Sequence, residues 1–266
     1  MTQRAGSFSD LISRLVTALV MAAVGLLAVW LGGLWFKAFV GLIVGVLIWE
    51  LARMLGADQK RALTLGGFAT VVFLFAGLLP VGLGLSLPLL FLVGFAGVAA
   101  LEHHRTIYMP LAMLVMLAAF GLLVHRDTFG LTWMLWLVLV VVATDVLGYF
   151  AGRIFGGPKF WPRVSPKKTW SGTIAGWFGA GAVGAVFMGL TGAGFQVIGI
   201  SVALSMASQM GDIAESAVKR KMGVKDSSNL LPGHGGVFDR FDGMLGAAML
   251  LLIVESLTSF PPMPAL

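Results

Sequence analysis

No cysteine occurs among the 266 residues, which removes disulfides, thiolate zinc sites and thiol nucleophiles from consideration. Charge is scarce as well: Asp, Glu, Lys and Arg make up 11% of the chain, against about 25% in a soluble domain. Histidine is limited to His103, His104, His125 and His234, scattered along the sequence. Apolar and polar residues do not alternate at period two, which argues against an outer-membrane barrel. No fixed-period repeat, low-complexity tail or soluble domain is visible. What fills the chain instead is apolar: 58% of residues are hydrophobic and the mean hydropathy is +0.95. Such a chain has too little polar surface to face water.

Continuous apolar runs recur throughout, and a helix needs about 20 such residues to cross the hydrocarbon. The expected fold is therefore an all-α polytopic membrane bundle. Candidate spans fall at residues 11–31, 34–52, 62–79, 83–101, 107–124, 131–151, 172–190, 195–217 and 243–258, about nine in all. The first run is longer than a signal-peptide core and lacks a small-residue cleavage site, so it is expected to stay as a span. With nine spans and a cytoplasmic N-terminus, all but Lys37 and Arg126 of the 18 Lys and Arg residues fall on the cytoplasmic side. The positive-inside rule asks for that asymmetry, so the net charge of +6 reads as topology rather than as a nucleic-acid surface. The chain reads as one membrane domain. Residues 1–130 are chemically quiet and are given no role, whereas residues 131–266 carry the two long polar connections, 152–171 and 218–242, both cytoplasmic in this topology.

Oxygen ligands and cations gather around the second connection. Asp212 and Glu215 sit at i and i+3 near the cytoplasmic end of a span, which puts both on one helix face, and Asp239 and Asp242 repeat the spacing. Mg²⁺ takes one or two carboxylates together with substrate phosphates, so this inventory suits it. Asp212 follows an apolar run, and Asp145 is embedded in LVLVVVATDVLGYF; ionisable groups there are costly and mark functional or paired positions. The plainer alternative is that these carboxylates only pair with Lys219, Arg220 and Arg240. The stretch Pro232-Gly233-His234-Gly235-Gly236 offers a turn whose backbone N–H groups can approach a phosphate, although a Gly-rich connection is often only a turn. Ser165-Pro166-Lys167-Lys168-Thr169 brings two cations to the start of a span, for phosphate binding or for topological anchoring.

Taken together, residues 216–242 fit S-x-x-K-R-x4-K-D-x5-P-x-H-G-G-x-x-D-R-x-D through Ser216, Lys219, Arg220, Lys225, Asp226, Pro232, His234, Gly235, Gly236, Asp239, Arg240 and Asp242. This resembles the signature of the phosphatidate cytidylyltransferases. TDVLGYFAGRIFG and SPKKTWSG are similar to that family too, so the resemblance covers residues 140–245. Ser171 departs from it, since relatives often carry Glu or Gln there. The resemblance implies that CTP and phosphatidic acid give CDP-diacylglycerol and pyrophosphate at the cytoplasmic face of the inner membrane. It implies Asp212 and Asp239 as leading metal ligands, with Asp242 and Asp145 as further ligands or their supports, for Mg²⁺ as one ion or two. Lys219, Arg220 and His234 join Asp212 and Asp239 as catalytic candidates. Lys167, Lys168, Ser216, Lys225, Asp226, Gly235, Gly236 and Arg240 are candidates for holding substrate. A homodimer is the expected assembly.

Four other readings stay in view, one of them an inactive structural homologue, which would have little reason to keep the full set of acidic and basic positions. Asp239, Asp242 and Gly243 mimic the D-x-x-D-G opening of CDP-alcohol phosphotransferases, but Met244, Leu245 and Gly246 then lead into an apolar span with only Glu255 acidic beyond. A CTP-dependent lipid kinase would use the same inventory and release CDP. A transporter could use Asp145 and Asp212 along an ion path, yet the charge collects in loops on one side rather than at mid-span.

Overall fold

The computed structural model describes residues 5–79, 83–231 and 233–262. Among these it contains eight α-helices and one small hairpin: α1 Ala5–Leu31, α2 Gly33–Met54, α3 Gln59–Leu78, α4 Leu83–Ala100, α5 Arg105–Ile154, β1 Lys159–Trp161, β2 Ser165–Thr169, α6 Trp170–Thr191, α7 Gln196–Lys221 and α8 Phe238–Leu257. Five of the helices, α2, α3, α5, α6 and α7, are long and apolar enough to cross a membrane. The chain is a multi-pass membrane protein. Large apolar side chains such as Leu85, Phe178 and Leu190 stay exposed on the outside of the bundle, where lipid rather than water is the expected neighbour.

α5 has 50 residues, which as one rod would reach about 75 Å, more than twice the hydrocarbon thickness. It is interrupted at Gly130, whose φ of 80° and ψ of −168° are not helical. His125 meets Glu255 near the end of α8, Trp136 packs edge-on against Phe260 just beyond it, and the charge of Asp145 reaches Asp242 at its start. The chain therefore runs along α8 and returns beside it, and the two halves of α5 match the two separate sequence runs at 107–124 and 131–151. The antiparallel pair β1–β2 is the departure from a purely helical expectation. It occupies the polar connection 152–171, where the sequence contained no alternating apolar pattern to announce strands.

Caps and interhelical polar contacts fix the arrangement. The side chain of Asp58 accepts the backbone N–H of Arg61 at 2.8 Å and caps α3; that bond holds its carboxyl below the ordinary range. The Arg61 guanidinium then bonds Glu102 at 2.7 Å across to the α4–α5 connection and lowers that carboxyl also. Lys37 and Arg126, the two cations that stand apart in the sequence, lie at the other end of α2: Lys37 pairs with Asp127 at 3.0 Å, and Arg126 donates to the Val29 carbonyl at 2.8 Å. Between these levels α7 presents a polar face to its neighbours. Trp136 donates to Ser201 Oγ at 2.9 Å, Thr144 to Ser205 Oγ at 2.8 Å, and Trp177 to Gln209 Oε1 at 3.0 Å. Each such bond contributes about 0.6 kcal/mol in a membrane, so their value is chiefly in fixing rotation and register.

Candidate active site

α7 and α8 bring the acidic residues together because their backbones can touch. A Cβ on Gly211 would collide with the carbonyl oxygen of Asp242, and one on Gly246 with that of Ala207. This contact sets Asp212, on α7, beside Asp242, on α8. The returning half of α5 supplies Asp145. Asp145 and Asp242 each lie close enough to Asp212, and to one another, to feel its charge. Asp145 and Asp212 both lie nine residues before the end of their helices, about 13 Å in, and Asp242 lies four residues into α8, about 6 Å in. Asp145 is exposed and the other two are half-buried.

Cations face this cluster. Lys168, on β2, reaches Asp212 Oδ2 at 2.5 Å, with the Gln209 carbonyl at 3.4 Å. Ser216 Oγ donates to Asp212 Oδ1 at 3.3 Å, fixing the carboxylate from the next turn of its own helix. Lys168 and Arg240 both act electrostatically on Asp145. The hairpin thus serves the site directly, by carrying Lys168 back over the start of α6. Thr169 caps that helix by accepting the backbone N–H of Gly172 at 3.3 Å. Ser171 donates to the Gly156 carbonyl at 2.5 Å, tying α6 to the connection before the hairpin.

A second group is closed rather than open. Lys219 is buried between two carboxylates, forming an ion pair with Glu215 on its own helix and bonding Asp239 Oδ1 at 2.6 Å. Asp239 Oδ2 accepts from the backbone N–H of Gly236 at 2.7 Å, the backbone N–H of Ser227 at 2.9 Å and Ser227 Oγ at 3.0 Å. Ser227 Oγ has one proton to share between Asp239 and Glu50, so Asp239 holds three donors firmly and the fourth in part. Its contacts in this structure close the loop 227–236 onto α8 and hold the Lys219 ammonium.

The loop itself depends on its glycines. Gly235 has a φ of 80°, a left-handed conformation that side chains disfavour, and its carbonyl accepts the backbone N–H of Leu231 at 2.8 Å in an isolated bridge. Gly236 has no space for a Cβ, which would strike Ser227 Oγ and a carboxylate oxygen of Glu50. Arg240 Nη2 donates to the His234 carbonyl at 2.9 Å, bracing the loop from α8. Pro232 lies outside the described residues. Lys167, Arg220, Lys225 and Asp226 are exposed, and among the described residues none of them forms an ion pair.

Glu50 is the participant that sequence reading passed over. It lies in α2, within the half read as chemically quiet, and is fully buried. Its oxygens accept from Ser227 Oγ at 3.2 Å, Ser228 Oγ at 2.5 Å, the backbone N–H of Val237 at 2.9 Å and that of Phe238 at 2.6 Å. One signal was available: a carboxylate inside VGVLIWELARM is as costly as those at Asp145 and Asp212.

Among the described residues, no three His, Asp or Glu side chains are placed so as to hold a metal ion together. Mg²⁺ does not require enclosure, since it keeps open positions for phosphates and water. The carboxylates of Asp145, Asp212 and Asp242 are hard oxygen donors of the kind it prefers, to be completed by substrate phosphates and water.

Comparison with known proteins agrees with the signature and extends it along the chain. The sequence model of the cytidylyltransferase family matches residues 12–258. A phosphatidate cytidylyltransferase of Brucella suis biovar 1 (strain 1330) is 37% identical over 264 residues, 97% of each chain. One of Brucella abortus biovar 1 (strain 9-941) is 37% identical over 95% of this chain and 96% of its own. One of Staphylococcus aureus (strain COL) is 31% identical over 91% of this chain and 99% of its own. The similarity thus includes the helices before residue 130 as well as the loops that carry the carboxylates, and the chain belongs to the cytidylyltransferase family as a membrane-embedded nucleotidyltransferase.

Proposed function

We propose that the chain is a magnesium-dependent phosphatidate cytidylyltransferase, moving CMP from CTP onto phosphatidic acid to give CDP-diacylglycerol and pyrophosphate. The observation that carries this reading is Asp212, bonded by Lys168 and Ser216 where α7 touches α8, with Asp242 across that contact. It is supported by relatives of nearly equal length that bear that name.

The attacking group is a phosphate monoester with a second pKa of about 6, so it is largely ionised at neutral pH without a protein base. Its oxygen bonds to the α-phosphorus of CTP as the bond from that phosphorus to the bridging oxygen breaks, and the electron pair leaves with pyrophosphate. The difficulty is repulsion between two polyanions, so the protein must supply neutralisation and in-line placement. Mg²⁺, as one ion or two, would be held by Asp145, Asp212 and Asp242 and when bound would neutralise phosphate charge. Lys168 and Arg240 stand at the same cluster, and Ser216 keeps Asp212 in place. Lys167, Arg220 and Lys225 offer free cations for the phosphates, with Asp226 beside the loop, and His234, Gly235 and Gly236 line the phosphate path. Asp239 and Lys219, whose polar atoms are committed to each other and to the loop, hold that path in shape.

The same proposal includes nine crossings, a cytoplasmic N-terminus and a site on the cytoplasmic face of the inner membrane. The grouping of Lys37 and Arg126 with Asp127, Val29 and Trp30 at one end, away from the other cations, supports that orientation. A homodimer belongs to it as an expectation from the family.

The test uses purified, detergent-solubilised protein with phosphatidic acid, Mg²⁺ and CTP labelled at either the α or the γ phosphate. The α label is expected in lipid, with pyrophosphate released. Transfer of the γ label instead would make the protein a lipid kinase and overturn the reading.

A further inference from the structure

We infer that Glu50 is a positioning residue of the transferase, and that through it the N-terminal helices form part of the catalytic apparatus. The inference rests on the cytidylyltransfer reading above. Its starting point is chemical: the Glu50 carboxylate lies against donors, two of them backbone N–H groups at the start of α8 and two of them serine hydroxyls of the signature loop, of which Ser227 shares its one proton with Asp239. No Lys or Arg among the described residues pairs with it. Its negative charge instead meets the N-terminus of α8, where unsatisfied N–H groups and the helix dipole favour an anion.

The consequence is a loop fastened from both sides. Asp239 grips Ser227 and Gly236 from within α8, and Glu50 grips Ser227, Ser228, Val237 and Phe238 from α2. Ser227 Oγ lies between the two carboxylates, 3.2 Å from Glu50 and 3.0 Å from Asp239. The segment so fixed includes Gly235 and Gly236 and leads directly into Arg240 and Asp242. A loop proposed to face phosphate needs such an outside anchor to keep one shape.

The chemistry also tells which substitution is informative. In Glu50→Gln the amide has one acceptor oxygen and one donor nitrogen. The serine hydroxyls can rotate to accept from that nitrogen, but a backbone N–H cannot, so either Val237 or Phe238 loses its partner. Glu50→Asp keeps the carboxylate and shortens its reach. The experiment measures, for wild type and both variants, CMP transfer from CTP and amide hydrogen exchange across residues 227–240, with exchange in α2 and α3 as the internal reference.

For Glu50→Gln, kcat is expected to fall about 10- to 100-fold with the KM for CTP within about threefold, as one orphaned buried donor implies. Exchange at Val237 and Phe238 is expected to quicken while α2 and α3 keep their protection, and Glu50→Asp is expected to recover part of the turnover. Turnover near wild type in folded Glu50→Gln would overturn the inference, as would lost turnover with unchanged loop exchange. Exchange that rises evenly across the chain would also overturn it, by making Glu50 a general stabiliser. Should wild type itself transfer no CMP, the functional reading falls separately, and the loop exchange alone then decides whether Glu50 holds the loop.

Discussion

At the residue scale the site contains two kinds of carboxylate that sequence spacing cannot tell apart. Asp239 and Asp242 sit three positions apart on one helix, yet Asp239 is filled by Lys219, Ser227 and Gly236, whereas among the described residues Asp242 takes only the backbone N–H of Gly243 at 2.8 Å. The difference arises from the loop 227–236, which folds back over one carboxylate and leaves the other facing Asp212. Lys168 shows the converse. As one of two adjacent lysines before a span it could have been an anchor, and it instead reaches the Asp212 carboxylate while Lys167 stays exposed. Lys168→Met is therefore expected to lower kcat/KM by at least about tenfold, since it removes the charge-assisted contact to Asp212 at the proposed phosphate site. Lys167→Met is expected to have a smaller effect, and steady-state kinetics of the two variants side by side checks the order. Equal losses would mean that the hairpin's charge matters only in bulk.

At the element scale the position of the site depends on how closely α7 and α8 approach. Gly211 against Asp242, and Gly246 against Ala207, leave no space for a side chain. Gly211→Val is expected to cost about 1–3 kcal/mol through overpacking. It should also separate Asp212 from Asp242, so turnover and the thermal midpoint in detergent should fall together. A variant with wild-type midpoint and turnover would show that the contact is not needed. The helices themselves were legible, because unbroken apolar runs admit little else in a membrane. The junction of α5 was legible as two runs, although the chain passes from one to the other at Gly130 without leaving helical hydrogen bonding for long. The hairpin was not legible. Its strands are three and five residues long and rich in Lys and Pro, and their pairing depends on the base formed by Ser171, Gly156 and Thr169 rather than on side-chain alternation.

At the scale of the whole molecule, the division into a quiet first half and a chemical second half does not describe how the site is held. Hydropathy gave residues 1–130 only a membrane role, because a single Glu among apolar neighbours carries no pattern. Burial and hydrogen bonding give Glu50 its meaning, and both need the partner segment 177 to 188 residues away in the chain. The signature residues were legible as a set because their chemistry is concentrated in one loop. Their division into an open trio and a closed clamp was not, since it depends on which of two neighbouring carboxylates the loop covers. The proposed mechanism depends on this division, and the most direct test is the Mg²⁺ dependence of CMP transfer in Asp242→Asn and Asp239→Asn. Asp242→Asn is expected to raise the Mg²⁺ concentration for half-maximal turnover at least about tenfold, the usual cost of removing a ligand from a metal site being of that order or more. Asp239→Asn is expected to lower turnover while leaving that concentration close to wild type. The reverse pattern, with Asp239→Asn shifting the Mg²⁺ requirement and Asp242→Asn leaving it in place, would contradict the assignment.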